Sequence, residues 1–462
     1  MKKILALILI LAIPLTMIAC SSSPETVDSN SDAERITELE QELAELKSNQ
    51  SAQESESKTE PKDEQETWSD DTIIAFTDAE MLKDIREITG VTERDITYGD
   101  VKNIREFFGG INDIYSDITP LKYFTSLTVL GDISTSSYDL EALRNLTNLT
   151  TLDITGRNLT DINALQNLTN LTSLSMRGYG ITDISALGNL TNLTSLTITA
   201  NVTDISVLGN LTNLTSLRIT GDITDISAFN NLTKLTTLSI HGLSNTTNLS
   251  PISVLTNLTD LVIENGDLTD INNILNNLTN LKTLNLEGDD IPDLHSINSI
   301  TKLSLCANNS IGTISDMQNL KEIRIYDSNC EYINGIRDLP NLAEIWTVHS
   351  PYIKSFGILE NLPMLTDTSS YAGGLKLDSM ALEEFTFINC DSITNNFLRE
   401  SETLPNLKTL TFNNCDNITE LDSDTRRKMP NLETINLINC EGSDGFSYLI
   451  QKNMYTINII SE

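Results

Sequence analysis

The chain has 462 residues, with 65 acidic and 30 basic side chains, a formal net charge of −35 and a pI near 4.3. That balance excludes binding of nucleic acid or anionic lipid through a basic patch. The three histidines, His241, His295 and His349, stand at unrelated places and make no metal-ligand cluster with neighbours in the sequence.

Residues 1–19 begin with Lys2 and Lys3 and continue in an almost wholly apolar run from Ile4 to Ile18. A charged start and a short apolar core make a signal peptide. The competing reading, a transmembrane helix, needs about 20 apolar residues. The run ends Met17-Ile18-Ala19-Cys20-Ser21. This resembles the lipobox of bacterial lipoproteins, with Met17 where Leu is usual. The resemblance implies export, lipidation of Cys20, and attachment at the cell membrane or cell surface through that lipid only. Several acyl chains on one residue are what stable anchoring requires.

Residues 20–70 form an acidic Ser/Glu-rich tether. From Ser21 to Asp70 there are 15 acidic and 4 basic residues, too polar a composition to bury a core. Within it Ile36, Leu39, Leu43 and Leu46 make a heptad segment over 36–46, read as a short oligomerising coil or as a transient helix. Residues 71–110 form an N-terminal helical cap. Met81, Ile85 and Ile88 share one face of a helix over Glu80–Ile88, with Thr77 or Asp78 as its cap. Val101, Ile104, Phe107 and Phe108 predict a second helix.

Residues 111–298 are regular repeats. Asn145 to Gln166 reads NLTNLTTLDITGRNLTDINALQ and returns from Asn167, Asn189 and Asn210. The anchors Leu130, Leu152, Leu174, Leu196, Leu217 and Leu238 are followed by Leu261, Leu284, Leu303, Ile323, Ile345, Leu365, Phe385, Leu410 and Ile435. A period in the range of about 20–29 residues marks a leucine-rich repeat. In LTTLDIT the apolar residues alternate, as in a half-buried strand, and the strands of successive coils pair in parallel. Fifteen of them make a ribbon of roughly 70 Å at about 4.8 Å per strand. The motifs NLTNLTSLxI and ITDISAL resemble the internalin-type bacterial leucine-rich repeat, and the Asp95-Ile96-Thr97-x-x-Asp100 pattern resembles the cap of such proteins. The resemblance implies an α/β solenoid: a leucine-rich repeat horseshoe with a parallel concave β-sheet, a convex side of short 3-10 turns and a helical N-terminal cap.

The Asn-x-Thr triplets are read as hydrogen-bonding positions between coils rather than glycosylation acceptors. Asp161, Asp183, Asp204, Asp225 and Asp270 recur once per coil, which suits turn capping and not a calcium loop. Residues 299–462 are degenerate repeats. There Cys390, Cys415 and Cys440 take one position in three coils. They are read as inward-facing thiols, although export permits disulfides; the redox state of these three, Cys306 and Cys330 stays open.

No paired nucleophile and base, phosphate loop or cofactor motif is evident, so the expectation is a protein that is no enzyme and takes no cofactor or metal. The expected function is a lipid-anchored surface protein that binds a protein or glycan of a host cell or another microbe, as an adhesin or receptor. The alternative is a structural spacer of the cell envelope. The outward strand residues decide where binding is expected. Early ones are small: Thr151, Asp153, Ser173, Ser175, Ser195 and Thr197. Later ones are larger, and Arg324, Tyr326, Glu344 and Trp346 are the candidate ligand-binding residues, since aromatic and Arg side chains dominate binding hot spots.

Overall fold

The computed structural model describes residues 67–110, 114–244, 246, 248–365, 374–390, 392–395, 397–398, 401–421, 423–440, 446 and 456–460. Cys20 and the heptad segment 36–46 lie outside them. The chain divides into units Met1–Thr67 and Trp68–Glu462, and the second unit holds the cap and the coils.

The cap is built on α1 (Ala79–Thr89). Asp78 is its N-cap, with Oδ1 accepting from the Met81 N–H at 2.8 Å. Gly90, at φ 70°, turns the chain out of the helix. Met81 and Ile85 are buried. Ile88 is 47% exposed, because the last turn runs past the core that the first two turns cover. The other Asp78 oxygen accepts the N–H and Oγ–H of Ser116, at 2.6 and 2.7 Å, and so ties the cap to the first coil. The second expected helix is a single turn, α2 (Tyr98–Val101), held by a capping box between Thr97 and Asp100. Phe107 and Phe108 leave it and extend into β1 (Glu106–Phe108), which pairs with β2 (Val129–Thr135). Strand pairing buries Phe107 and leaves Phe108 half exposed.

The coils after the cap repeat one plan. Strands β3 (Thr151–Gly156), β4 (Ser173–Gly178), β5 (Ser195–Ala200), β6 (Ser216–Thr220), β7 (Thr237–His241), β8 (Asp260–Glu264) and β9 (Thr283–Ile291) pair in parallel. Their anchors from Leu152 to Leu284 are in register and buried. The opposite flank carries 3-10 turns, for example Asn163–Asn167 and Ser185–Asn189. Asp161, Asp183, Asp204 and Asp225 each accept the N–H two residues on, at 2.8 Å. Asp270 departs from the row. A short helix, α3 (Ile271–Leu275), follows it, and its side chain caps nothing. Asn170 and Asn192 donate to carbonyls of the preceding coil at 2.8 Å, and Thr172 and Thr194 at 3.1 Å. These residues therefore tie each turn to the backbone of the coil before it.

From the end of β9 the single ribbon divides. The first ladder runs on through the start of β11 (Lys302–Ser315), then β12 (Glu322–Tyr326), β14 (Glu344–Val348) and β16 (Gly374–Lys376). A second ladder starts beside it at the far ends of β9 and β11, where the short β10 (Leu294–His295) also pairs with β11. It passes through β13 (Tyr332–Arg337), β15 (Ile358–Glu360), β17 (Glu384–Ile388), β18 (Thr409–Asn413), β19 (Thr434–Ile438) and β20 (Thr456–Ile460). The fifteen-anchor ribbon is corrected accordingly. Leu365 is buried but lies on no strand; Leu375 stands opposite Ile345, and Phe387 stands opposite Leu359. In the second ladder Asn389, Asn414 and Asn439 take φ of 51°, 50° and 51° at the strand ends, a conformation Asn tolerates. The next residues, Cys390, Cys415 and Cys440, donate their thiols to carbonyls of the same strand and of the neighbouring coil. Bulky Phe387 and Phe412, stacked at 5.4 Å, fill these coils.

Candidate functional site

Because side chains alternate along a strand, parallel register writes columns across the open face of the first ladder. The central column reads Asp153, Ser175, Thr197, Arg218, Ser239, Val262, Asn285, Ser304, Arg324, Trp346 and Lys376. It begins small and ends large and cationic.

The four candidate residues stand on β12 and β14. Ile323 and Ile345 are fully buried, so Arg324, Tyr326, Glu344 and Trp346 face outward. Arg324 and Trp346 are register partners. The Arg324 guanidinium lies 4.8 Å from the Trp346 ring centroid, and the Lys376 ammonium, from the strand on the other side, lies 5.0 Å from it. Trp346 is thus a half-buried ring flanked by two cations, each held by the ring quadrupole. Glu322 pairs with Arg324 and, at 3.3 Å, with Lys302. Glu344 is the register partner of Glu322, so two carboxylates sit beside the cations.

Tyr326 reaches two strands away, donating its hydroxyl to Asn285 Oδ1 at 2.7 Å. Burial outweighs that bond and pushes the phenol up to about 12. In the same column, Glu287 is raised, first by burial and then by the charge of Glu264. Burial and then Glu287 push the Cys306 thiol up to about 11. A cleft of about 320 Å³ lined by Asn248, Asp267, Asp270 and Asn273 lies on the turn flank, away from this face.

One cluster was missed from the sequence. Ser239 and His241 are two apart on β7 and so share a face, and His241 is the register partner of Glu264 on β8. Ser239 Oγ and His241 Nε2 are 2.8 Å apart, and His241 Nδ1 contacts the Glu264 carboxylate. The signal was available: His241 follows its anchor Leu238 by three residues, and Glu264 follows Leu261 by three. Aligning the coils on their anchors puts the two side by side. Among the described residues no group of three or more His, Cys, Asp or Glu could hold a metal ion.

A family model for leucine-rich repeats in two copies matches residues 169–210, the stretch that holds β4, β5 and the turns after them. That stretch is two leucine-rich repeats, and the coils on either side of it repeat the same strand-and-turn plan. Similar solved structures include internalin C2 of Listeria monocytogenes, at 27% identity over 48% of this chain and 99% of that one, with a TM-score of 0.42. InlJ of Listeria monocytogenes, described as including a cysteine ladder, is 19% identical over 80% of this chain and 84% of its own, with a TM-score of 0.46. A leucine-rich repeat protein of Leptospira interrogans is 17% identical over 73% and 85%, with a TM-score of 0.46. No curated protein matches the chain. Among the described residues no helix is long and apolar enough to cross a membrane.

Proposed function

We propose that this leucine-rich repeat protein is an exported, lipid-anchored surface protein, held through Cys20, that binds a protein or glycan partner of a host cell or another microbe. The contact centres on Arg324, Tyr326, Glu344 and Trp346. The observation that carries this reading is Trp346 standing on the open face between Arg324 and Lys376. Ring and cations restrain one another, so little side-chain entropy remains to be lost on binding. Tyr326, already fixed to Asn285, adds a second rigid aromatic. A sheet whose strands are hydrogen-bonded on both edges is a rigid platform, and repeat proteins use such extended concave surfaces for binding. The net charge of −35 favours a partner with a basic patch, with association slowed by salt.

The test is a pull-down with surface extracts followed by titration of the captured partner. Replacing Arg324, Tyr326 and Trp346 together by Ala should abolish saturable binding while circular dichroism stays native. Replacing Ser173, Ser175 and Thr197 by Ala should leave affinity within about threefold, as expected of positions outside a hot spot. Full affinity in the folded aromatic-cation variant would rule this site out.

A further inference from the structure

Ser239, His241 and Glu264 meet in the order nucleophile, base, orienting carboxylate. With Nδ1 of His241 against a carboxylate, the ring proton belongs on Nδ1. The Nε2 lone pair then faces the Ser239 hydroxyl at 2.8 Å. This is the tautomer that a serine nucleophile needs, and such constellations are recognised by geometry rather than by chain order. Arg218 is the register partner of Ser239 on β6. It is exposed and has no ion pair among the described residues. Neighbouring strands are about 4.8 Å apart, so its guanidinium is in reach of charge developing beside Ser239.

We propose that Ser239 is an activated nucleophile and that this part of the strand face cleaves carboxylic esters. Ser239 Oγ would bond to the acyl carbon while its proton passes to His241 Nε2. The carbonyl oxygen gains negative charge, opposed by Arg218. The bond to the alcohol oxygen then breaks, and the alcohol leaves with the proton from Nε2. Water repeats the sequence on the acyl-serine, His241 taking and returning one proton, and releases the acid. Glu264 contacts His241 and none of the reacting atoms, so it is a positioning residue. The site is five strands from β14, about 24 Å at the strand spacing, so it is separate from the proposed partner contact.

The experiment treats the full chain with a fluorophosphonate, which forms a Ser Oγ–P bond and releases fluoride, and locates the adduct by peptide mass spectrometry. Hydrolysis of p-nitrophenyl acetate is followed in parallel. The expected result is an adduct on Ser239 with none on Ser216 or Ser304 of the same face. H241A should slow labelling by about 100-fold or more, the usual weight of a general base. E264Q should slow it less, and S239A should abolish both labelling and turnover. H241Q serves if H241A does not fold. No adduct on Ser239, equal labelling of Ser216, Ser239 and Ser304, or ester turnover unchanged in folded S239A would each overturn the proposal. Partner capture by S239A reports separately on the binding face.

Discussion

Asp78→Ala should detach the cap from the first coil. Asp78 is 7% exposed and its two oxygens serve different partners. One closes the α1 N-terminus at the Met81 N–H, and the other receives the Ser116 N–H and hydroxyl. The Ala variant leaves two backbone N–H groups without an acceptor, at about 1–3 kcal/mol each when buried. A loss of about 3 kcal/mol is therefore expected. The chain has two tryptophans. Trp68 packs on Tyr98 of the cap and Tyr123 of the first coil at 5.5 and 4.8 Å, so in a Trp346→Phe background its fluorescence reports loss of the cap from the coil in denaturant. Asp78→Asn keeps one acceptor oxygen and should fall between wild type and Ala.

The pH dependence rests on the same bonds. Burial alone would raise the Asp78 carboxyl, but the hydrogen bonds from Met81 and Ser116 prevail and lower it. A depressed folded value stabilises the cap above the unfolded value of about 3.9. That contribution is lost as pH falls through the folded value, so the variants should show a shallower acid loss. A cost under about 1 kcal/mol for Asp78→Ala, well short of two orphaned donors, would refute the claim that this carboxylate joins cap to coil.

Leu174→Ala, at a side chain 1% exposed, should cost about 2–5 kcal/mol in chemical denaturation, while Thr197→Ala on the open face should cost under about 0.5 kcal/mol; equal losses would reverse the inward and outward assignment. Burial pushes the Cys415 thiol up to about 12, so iodoacetamide near neutral pH should leave it unmodified in the native chain and alkylate it only in denaturant, as mass spectrometry would read. Cys20→Ala should move the protein from the detergent phase to the aqueous phase in phase partitioning; retention in the detergent phase would count against the lipid anchor.

Much of this was legible because a repeat reports one local rule many times. Alternation around Leu152 fixed the inward face, and offsets of one and three residues from the anchor fixed the columns on which Trp346 and His241 lie. The cap was less legible. Phe107 and Phe108 satisfy a helical spacing, yet the open edge of β2 offers unpaired backbone groups that only a strand can fill, and that long-range demand overrides the local pattern.

The division into two ladders was not legible, and the reason is physical. A coil has two flanks, and an extended segment can form on either. The period counts residues per coil and does not say which flank is extended. β11 shows the transition, since its 14 residues run through both ladders. From there Ile333 and Ile336 turn inward on the second flank as Ile323 and Ile325 do on the first, and all four are buried. The first ladder then shortens to three residues in β16, while the second lengthens to five in β17, β18 and β19. The apolar pair Leu362 and Leu365 looks like another anchor in sequence, but both fill the core from a turn. The functional consequence is that the aromatic-cation group of β12, β14 and β16 lies at the end of the first ladder. Sequence numbering places the cysteine coils next in line, whereas hydrogen bonding places them on the second ladder. A partner laid along the first sheet therefore meets Lys376 as the last cation of its central column, rather than Thr411 or Asn436.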